Sequence, residues 1–590
     1  MFFCITRTNT MKQTNLISLT LILTLLQGCA RQQTNDDYKT SFEKEFRDEL
    51  HKNDVNNAAY AVFTDDSIIF QGAFSNKGTT VDGNSPFLIG SVTKVFTAVA
   101  VMQLYEQGKI DIDKPVSDYV PDFAINQRFP DSGPITIRAV LTHHAGIPSD
   151  YYLHKFSKKQ HDFNEILPYL NSQYTCFPVG EIWAYSNLGY ALLGILIERA
   201  GGLKYEDYVV RNIFTPLGMK NSGFYSDFEK QKHLAIAYSS GEKTYEYPLL
   251  DKPAGAIYST VNDMVLFCRA FIDKKENLLI NATLENMYEI QNRENLLDLD
   301  HRMAICFNFK NKAYELGRVF EHGGATMYHR AQMVIAPDAG LAAIMLSDSP
   351  TGKDNAWRLD EQMMVEYSKT QLIVPDKALN PEKRKQFTPI KSKNLAQFAG
   401  NYAMPGMVCK FEWKNGYLSP TINGQNFYLA PHDSNSFVPA RRFLGMMLKS
   451  KKMYFLLEEI NGEKHFIQAM PSGSLNIIGT QFNPEPIPQI YQSRTGNYTI
   501  INADDEDVPS LERISICIED GVLLLKYGFN PEMSFGQDAS LALDIIDDSV
   551  SFVRGYGRGG GESVVFDKNG ETFQYMGLTL KRTVDSSIKE

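Results

Sequence analysis

The sequence predicts a mixed α/β (α+β) domain that is followed by an all-β region. Strand-like patterns near residues 58–74 return at residues 301–347, and the stretch between them is rich in helix and loop signals. After residue 394, short alternating apolar runs are separated by Gly and Asn turns. This order favours one sheet assembled from both ends of the first region, with the helical part inserted between them and a separate β-rich tail.

The first elements are predicted to be a helix, a strand hairpin and a long apolar helix. Thr40–Asn53 has the charged, amphipathic pattern of a helix. Ala58–Phe63 and Ser67–Phe74 read as two strands of a hairpin. Ser91–Gln107 carries apolar residues at helical spacing, and Gly108 supplies a stop signal of the kind that ends many helices.

Four late strands and a closing helix complete the first domain, which we delimit as residues 41–373. Pro337 and Gly340 bound a turn, because Pro presets φ and Gly accepts positive φ. The helix is predicted over Asp354–Gln371, and the Pro- and Lys-bearing residues 374–393 are predicted to be a linker. The predicted strands are His301–Phe309, Arg318–Gly323, Arg330–Ala336 and Leu341–Ser347.

The β-rich tail contains an internal repeat. The segment Phe398–Tyr402 (FAGNY) recurs as Arg494–Tyr498 (RTGNY), and a strand pattern with an Asn-Gly or Asp-Gly turn follows each copy. This predicts two related β units, at residues 394–485 and 486–590. Chance similarity of two short segments is the alternative.

Composition describes a folded protein without a nucleic-acid partner. The 590 residues are too many for one ordinary core, and the formal net charge is -10 with no basic cluster. In the body of the chain, no apolar run approaches membrane-spanning length. The scattered cysteines show neither disulfide nor metal-ligand spacing, so they are predicted to be mostly buried small hydrophobes.

Residues 1–29 have the pattern of an export signal. A basic start precedes the apolar run Leu16–Leu26, which is too short to span a membrane. The sequence Leu-Gln-Gly-Cys that ends at Cys29 looks like a bacterial lipobox. That resemblance implies lipidation of Cys29, a tether over residues 30–40 and a membrane-anchored place in the bacterial cell envelope. Ala30 is not Asp, which favours the outer membrane, facing the periplasm, over the inner membrane. An ordinary secretory signal is the alternative.

Ser91 and Lys94 form an SxxK pattern at the start of the long apolar helix. One helical turn places the lysine amine on the same face as the hydroxyl, and a serine needs a base to become a nucleophile. Tyr185 and Asn187 form a YxN pattern before another helix. A nearby lysine ammonium offsets much of the ~4 kcal/mol that a phenolate costs at pH 7. Without SxxK, a buried tyrosine and a helix-capping asparagine would be the simpler interpretation of YxN.

The segment His322-Gly323-Gly324 lies on a predicted strand. Glycines weaken a strand and often mark the close approach of another backbone or of a ligand. A strand edge there is suited to pair with an extended substrate and to aim an N–H at an oxyanion. Taken alone, a structural bend with an exposed histidine would be the simpler interpretation.

Together, SxxK, YxN and the His-x-Gly strand resemble the serine β-lactamase and penicillin-binding-protein superfamily, most closely its class C, D-alanyl-D-alanine carboxypeptidase and esterase branch. The resemblance implies an antiparallel sheet flanked by helices, a helical domain beside it and a site at their junction. The tail resembles the lipocalin-like barrels that are appended to such hydrolases. Further segments similar to that branch are Phe87–Gly90, Ile135–His143, Pro216–Met219, Ala254–Thr260 and Met333–Leu346.

The resemblance also implies a role for each site residue. Ser91 is the acylated nucleophile, Lys94 is its proton partner, and Tyr185 is general base and acid. The N–H groups of Ser91 and Ala325 form the oxyanion hole. The substrate-binding residues that it implies are Asn187, His322, Gly323, Gly324 and Ala325.

The expected function is therefore that of a cell-envelope serine hydrolase that acts through an acyl-enzyme on amide or ester bonds. Peptides ending in D-amino acids, including peptidoglycan-derived ones, and small esters are the expected substrates, with no metal and no cofactor. His322 stands where a fixed lysine charge often stands, which argues against an efficient β-lactamase. A non-catalytic binding protein of this fold and a true β-lactamase are the alternatives. His143 and His144 are predicted to be loop structure, not ligands.

Overall fold

The computed structural model describes most of the chain between residues 40 and 583. The signal segment with Cys29, residues 30–39 of the tether and the linker at 374–393 lie outside the described residues. The described residues are 40, 43–48, 50–53, 55–234, 236–239, 242–273, 275–310, 316–348, 364–369, 395–422, 425–432, 436–443, 446–450, 453–469, 474–530 and 538–583.

An antiparallel sheet forms the centre of the first domain. Its strands are β1 Asn57–Thr64, β2 Ile68–Ser75, β8 Asn308–Phe309, β9 Phe320–Ala325, β10 His329–Ala336 and β11 Leu341–Asp348. Within the described residues their order is β2-β1-β11-β10-β9-β8, so the predicted sheet built from both ends of the region is confirmed. Ala61 and Phe63 of β1 pack into one core while Ala58 and Val62 pack into another, because side chains alternate across a strand.

The predicted strand His301–Phe309 is wrong for most of its length. Only Asn308–Phe309 pairs with β9, and Cys306 has a φ of 67° that no regular strand contains. The residues from Met303 to Phe307 are nevertheless buried. A short buried apolar loop and a short buried strand have the same hydrophobic pattern, so the pattern predicted a strand where the structure has a loop. The other three late strands are confirmed, the one predicted as Arg318–Gly323 with a shift of two residues.

Helices form the part that is inserted between β2 and β8. The SxxK helix begins at Thr93, after a 3₁₀ turn at Gly90–Val92, and its residues are buried from Thr93 to Leu104. A helix that is apolar all round is a buried helix, and this one packs against the helices at Asn187–Gly201 and Lys252–Gly255. Part of the predicted helix Asp354–Gln371 is described, and it is helical at 364–369.

Twelve helices and five minor strands make up the rest of the described first domain. The helices are α1 43–48 and 50–52, α2 Thr93–Glu106, α3 Ile137–Leu141, α4 Ile166–Ser172, α5 Asn187–Gly201, α6 Tyr205–Val209, α7 Thr215–Leu217, α8 Phe228–Gln231, α9 Lys252–Gly255, α10 Val261–Arg269, α11 Asn281–Tyr288 and α12 364–369. The minor strands are β3 Phe87–Leu88, β4 Gly223–Phe224, β5 Ile236–Ser239, β6 Glu242–Tyr245 and β7 Ile257–Ser259.

The tail forms two antiparallel barrels. The first contains β12 Gly400–Met404, β13 Met407–Lys414, β14 Tyr417–Ile422, β15 Gln425–Asn426, β16 Tyr428–Pro431, β17 Ser436–Phe443, β18 Met446–Lys449, β19 Tyr454–Ile460, β20 Glu463–Ala469 and β21 Leu475–Phe482. Helix α13 Gln489–Ser493 leads to the second, which contains β22 Gly496–Ile500, β23 Leu511–Glu519, β24 Val522–Phe529, β25 Ala539–Ile545, β26 Val550–Val553, β27 Ser563–Phe566, β28 Thr572–Tyr575 and β29 Leu578–Arg582. Over the described strands, each ring closes with eight members, through the pairs β12–β21 and β22–β29.

The predicted internal repeat is confirmed at the start of each barrel. Gly400 and Gly496 share a φ of 146°, a value that L side chains rarely adopt. Two residues later, the hydroxyls of Tyr402 and Tyr498 each donate to the carbonyl four residues upstream, at 3.0 and 2.6 Å. Asn415–Gly416 and Asp520–Gly521 then form two-residue hairpin turns with positive φ throughout, as type I′ turns require.

Both barrels pack on the first domain. In the first barrel, Ile467 and Leu475 share an apolar cluster with Phe177 and Ile182. In the second, the buried Glu562 carboxylate accepts hydrogen bonds from the Ser149 N–H at 2.6 Å and from its hydroxyl at 2.8 Å. The second barrel therefore contacts the first domain through buried polar groups.

Membrane-spanning helices and disulfides were also sought over the described ranges. No helix there is long and apolar enough to cross a membrane. The described cysteines are free, and all are buried except Cys517, which is half-buried. The prediction that they act mostly as buried small hydrophobes is confirmed.

Replacing either repeated tyrosine by phenylalanine tests the barrel repeat. Tyr402→Phe and Tyr498→Phe each leave a buried carbonyl without its donor, so each should lower the free energy of unfolding by ~1 kcal/mol. Thermal unfolding followed by circular dichroism measures the loss. Tyr417→Phe, on the hairpin of the first barrel, is the control, and equal losses in all three variants would contradict the assigned role.

Candidate active site

Ser91 and Lys94 meet at the N-terminus of α2. The 3₁₀ turn at Gly90–Val92 carries Ser91, and Lys94 lies one turn further on. The Lys94 Nζ lies 3.3 Å from the Ser91 Oγ, and the lysine has no solvent exposure. The structure thus brings together the two residues that SxxK predicts to interact.

The other contacts of the Lys94 amine determine its orientation. The Nζ donates to the Asn187 Oδ1 at 2.7 Å and to the Ala254 carbonyl at 2.8 Å. The third contact of the Nζ is to the Ser91 Oγ, to which an ammonium would donate. In the neutral form the amine has two N–H donors and one lone pair, so with Asn187 and Ala254 as acceptors the lone pair is left for the Ser91 hydroxyl, as the predicted base role requires.

Burial also favours the neutral form of this amine. It lowers the pKa of Lys94 from 10.5 to about 7; the Asp251 carboxylate opposes the shift, and the Arg558 guanidinium adds to it. A substantial fraction of Lys94 is therefore unprotonated near neutral pH, which a proton acceptor requires.

Tyr185 lies beside the pair with its phenol protonated. Its ring centroid is 4.9 Å from the Lys94 Nζ. Burial raises the pKa of Tyr185 above its usual value, and the hydrogen bond with Ser91 offsets only part of that rise. The offset that a lysine ammonium was expected to give does not lower this pKa below its usual value, because desolvation dominates. A protonated phenol is suited to donate a proton, and the general-base role of Tyr185 stays a prediction.

Asn187 connects the lysine to a buried carboxylate. Its Oδ1 accepts from Lys94, and its Nδ2 donates to the Asp150 Oδ1 at 2.7 Å. Both ends of the amide are thus engaged within the protein, although Asn187 also lines the cavity. The contacts support Asn187 as the group that holds Lys94 in place, while its predicted contact with substrate stays a prediction.

Two glycines let strand β9 approach Ser91. A Cβ on Gly324 would lie 1.9 Å from the Ile89 carbonyl oxygen, and one on Gly90 would lie 2.7 Å from the Ala325 nitrogen. Gly90 also has a φ of +49°. Only backbone atoms fit in this contact, so the backbones of Ser91 and Ala325 lie next to each other. That proximity is what the predicted oxyanion hole needs.

His322 enters the same cavity as a neutral side chain. It is buried on β9, with its Nδ1 2.8 Å from the Gly323 carbonyl oxygen. Burial and then the nearby Lys94 lower the pKa of His322 to about 4. The segment His322-Gly323-Gly324 therefore carries no fixed positive charge at neutral pH, as its sequence indicates.

An ionic cluster behind Asn187 was not predicted from the sequence. Asp150 is buried and pairs with Lys155 and with Arg558, whose Nε lies 2.8 Å from the Asp150 Oδ2. Burial acts to raise the pKa of Asp150, but the charges of Arg558 and Lys155 hold it below its usual range. No local signal reveals this cluster, because Arg558 comes from the loop between β26 and β27 of the second barrel.

His143 was predicted to be loop structure, and it also supports the site. Its ring lies against Tyr185, with centroids 4.3 Å apart, and its Nδ1 accepts from the Ser186 N–H at 3.1 Å. His144 turns away and binds the Asp298 carboxylate at 2.8 Å. Of the two histidines, His143 alone lines the cavity.

The site opens into a cavity of about 1030 Å³. The first domain supplies its floor, from Ser91 to the strand β9. Ser474–Asn476 of the first barrel and Arg558 of the second complete its wall. The two barrels are therefore part of the candidate site.

Residues 42–363 match the family described as Beta-lactamase. This is more than half of the 590 residues. The chain belongs to the β-lactamase family. The matched span includes the serine, lysine, tyrosine and histidine of the site and ends before the two barrels.

Curated relatives share parts of the β-lactamase-family domain. The chain is 33% identical over 207 residues to "Putative penicillin-binding protein PbpX" of Bacillus subtilis, which is 34% of this chain and 50% of the relative. It is 32% identical over 237 residues to "Beta-lactamase-like protein 2" of Dictyostelium discoideum, 37% and 43% of the two chains. "Penicillin-binding protein 4*" of B. subtilis is 25% identical over 372 residues, 58% and 77%. The chain thus spans about half the length of the first two relatives.

Solved structures share the fold at low sequence identity. The octameric penicillin-binding protein homologue from Pyrococcus abyssi has a TM-score of 0.50 and 19% identity, covering 72% of this chain and 97% of its own. SurE has a TM-score of 0.53 and 22% identity, covering 75% and 99%. At such identity the likeness shows the fold of this β-lactamase-family protein and nothing about its substrate.

The pKa of Lys94 predicts how the reactivity of Ser91 depends on pH. If the neutral amine is the base, acylation by a non-ionising fluorophosphonate should become faster as the pH rises through about 7. Arg558→Gln should raise the pKa of Lys94 and move this limb to higher pH. Asp251→Asn should lower the pKa and move it to lower pH. The labelling rate, measured between pH 5 and 9 for each variant, gives the pH at which it is half-maximal. Lys94 would be ruled out as the base if the rate did not depend on pH, or if both variants moved this midpoint in the same direction.

Proposed function

We propose that this protein is a serine hydrolase that cleaves amide or ester bonds through an acyl-enzyme. The observation that carries the proposal is the buried Lys94 amine, which faces the Ser91 hydroxyl while both of its own donors are engaged. A non-catalytic protein of this fold has no need for a buried lysine with a pKa near 7, because burying an amine costs stability.

In the proposed first step, the Ser91 Oγ attacks the substrate carbonyl carbon while its proton passes to the Lys94 Nζ. The negative charge on the carbonyl oxygen is stabilised by the N–H groups of Ser91 and Ala325. The Tyr185 phenol protonates the leaving group and recovers its proton from Lys94. Water then attacks the acyl carbon by the reverse sequence and releases the acid product.

The substrate that we propose carries a carboxylate close to the scissile bond. His322 is neutral, whereas the guanidinium of Arg558 is half exposed and lines the cavity, 5.6 Å from the Tyr185 ring centroid. The Nε and Nη2 of Arg558 contact Asp150, so a substrate carboxylate would bind at the Nη1 side of the guanidinium. A peptide ending in a D-amino acid, the class implied by the resemblance to D-alanyl-D-alanine carboxypeptidases, has such a group, and small esters are the simpler alternative substrates.

We further propose a place in the bacterial cell envelope, with a lipid on Cys29 as the anchor. The support is the apolar run and Leu-Gln-Gly-Cys sequence of the N-terminal segment. We also propose that the first domain belongs to the class C, carboxypeptidase and esterase branch of its superfamily. The two barrels are proposed to be related to lipocalin-like barrels, with which their eight-stranded rings are compatible.

Removal of the Ser91 hydroxyl tests the proposed nucleophile. Ser91→Ala should abolish covalent labelling by a fluorophosphonate and lower turnover of a p-nitrophenyl ester by at least ~10³-fold, because no acyl-enzyme can form. Ser172→Ala, at the surface end of α4, is the matched control and should behave as wild type. Equal labelling of the Ser91 variant would overturn the assignment, and rapid nitrocefin hydrolysis by the wild type would favour a true β-lactamase.

Arg558 is tested with paired substrates. Arg558→Gln should lower kcat/KM for a peptide with a free C-terminal carboxylate ~10- to 100-fold more than for the same peptide as an amide, since only the former uses the charge. Arg554→Gln is the control, because Arg554 lies on the same loop and pairs with Asp544. An equal loss for both peptides would show that Arg558 acts only through the fold.

A further inference from the structure

Two histidines of the first domain meet two aspartates of the second barrel, away from Ser91. His154 and His161 come from the loop after Asp150, and Asp504 and Asp507 come from the loop between β22 and β23. One nitrogen or oxygen atom from each of the four side chains lies within 4.8 Å of the other three. The two loops are fixed by backbone hydrogen bonds, from the Val508 N–H to the Phe156 carbonyl at 2.8 Å and from the Lys158 N–H to the Glu506 carbonyl at 3.1 Å.

Two buried atoms in this cluster have no hydrogen-bond partner among the described residues. They are the His161 Nε2 and the Asp507 Oδ1, which face each other at 3.9 Å. Their side chains are only 7% and 3% exposed. An unpartnered buried polar group costs about 1–3 kcal/mol, so a pair of them pointing to one place indicates a ligand there.

Glu165 holds both imidazoles with their Nε2 atoms toward this place. Its carboxylate oxygens lie 3.1 Å from the His154 Nδ1 and 3.6 Å from the His161 Nδ1. A carboxylate at Nδ1 fixes the proton there and leaves the Nε2 lone pair free, as is usual for histidines that bind metals. The His154 Nε2 in turn lies 3.6 Å from the Asp507 Oδ2.

The two imidazole rings lie side by side. They are stacked, with centroids 3.9 Å apart and planes 15° from parallel. Because each Nε2 lone pair lies in the plane of its ring, at least one ring must turn for both lone pairs to reach one ion. Within the described part of the chain, the contact of the Lys159 Nζ with the half-buried Asp504 at 3.4 Å does not involve the buried Asp507 Oδ1.

We propose that His154, His161, Asp504 and Asp507 form a divalent metal site, with Zn²⁺ as the ion that the ligands fit best. Imidazole nitrogens with carboxylate oxygens suit zinc, whereas calcium and magnesium prefer oxygen alone. Tetrahedral zinc bonds of ~2.0–2.1 Å place ligand atoms roughly 3.3 Å apart. The His–Asp507 separations of 3.6 and 3.9 Å are close to that spacing, and the four ligand atoms, which lie within 4.8 Å of one another, must draw together for the ion to bind all of them.

The ion acts as a structural link between the second barrel and the first domain. Four protein ligands leave no position for substrate, which is typical of structural zinc. The linked loop starts next to Asp150 and contains Lys155, two members of the ionic cluster behind Asn187. The site is independent of the proposed hydrolysis, because the metal takes no part in the chemistry at Ser91.

Zinc binding by the purified protein tests this site directly. The protein is stripped with a chelator, and zinc uptake is measured by competition with a chromophoric chelator and by elemental analysis. We expect about one zinc per chain, a rise in the unfolding temperature on zinc addition, and the visible spectrum of tetrahedral cobalt when Co²⁺ replaces zinc. His161→Asn and Asp507→Asn should each weaken binding at least ~100-fold, whereas His432→Gln, at an exposed histidine of the first barrel, should not change it.

A variant outside the ligand set covers the case in which the ligand variants do not fold. Glu165→Gln keeps all four ligands and should weaken zinc binding ~10- to 100-fold through the orientation of the imidazoles. The proposal is overturned if the wild type takes up neither Zn²⁺ nor Co²⁺. It is also overturned if the ligand variants fold and bind zinc as tightly as the wild type. If the ligand variants do not fold, wild-type zinc affinity of Glu165→Gln overturns it.

Discussion

The burial of one amine determines the chemistry of this protein. Lys94 is on a helix that is apolar all round, so its ammonium form has lost the water that would stabilise it. Its Nζ contacts three acceptors, the Asn187 Oδ1, the Ala254 carbonyl and the Ser91 Oγ, so it is burial and not a missing acceptor that favours the neutral form. In that neutral form one of the three contacts is made by the lone pair, and the longest of them is to Ser91. The other features of the site either hold this amine in place or line the cavity in which the proposed substrate would meet Ser91.

One positive charge of the cavity comes from outside the β-lactamase-family domain. On strand β9 the glycines permit backbone contact with Ser91, and His322 is neutral. Arg558 reaches the cavity from the second barrel and pairs with Asp150, in a wall that also contains Lys155, Arg302 and Lys310 of the first domain. Three domains therefore share one site: the first supplies the proposed nucleophile and base, and the barrels complete the wall and add a guanidinium.

The sequence predicted what depends on local spacing and missed what depends on distant partners. The SxxK turn, the repeat of the barrels and the sheet built from two chain segments follow from patterns within a few residues, and the structure has all three. The strand expected at His301–Phe309 is mostly a buried loop, because a short apolar run does not encode its own conformation. The pairing of Asp150 with Arg558 has no signal in either segment. The direction of the Tyr185 pKa shift was equally hidden, since it depends on burial and not on which residues are adjacent.

The origin of Arg558 also couples the candidate site to the last part of the chain. The serine and lysine come early in the sequence, whereas the guanidinium comes from a ring that is closed by the pairing of β29 with β22. Without that ring Asp150 keeps its contact with Lys155, and the cavity lacks part of its wall. A shortened chain that ends before β22 would therefore keep Ser91 and Lys94 but lose the arginine that borders them.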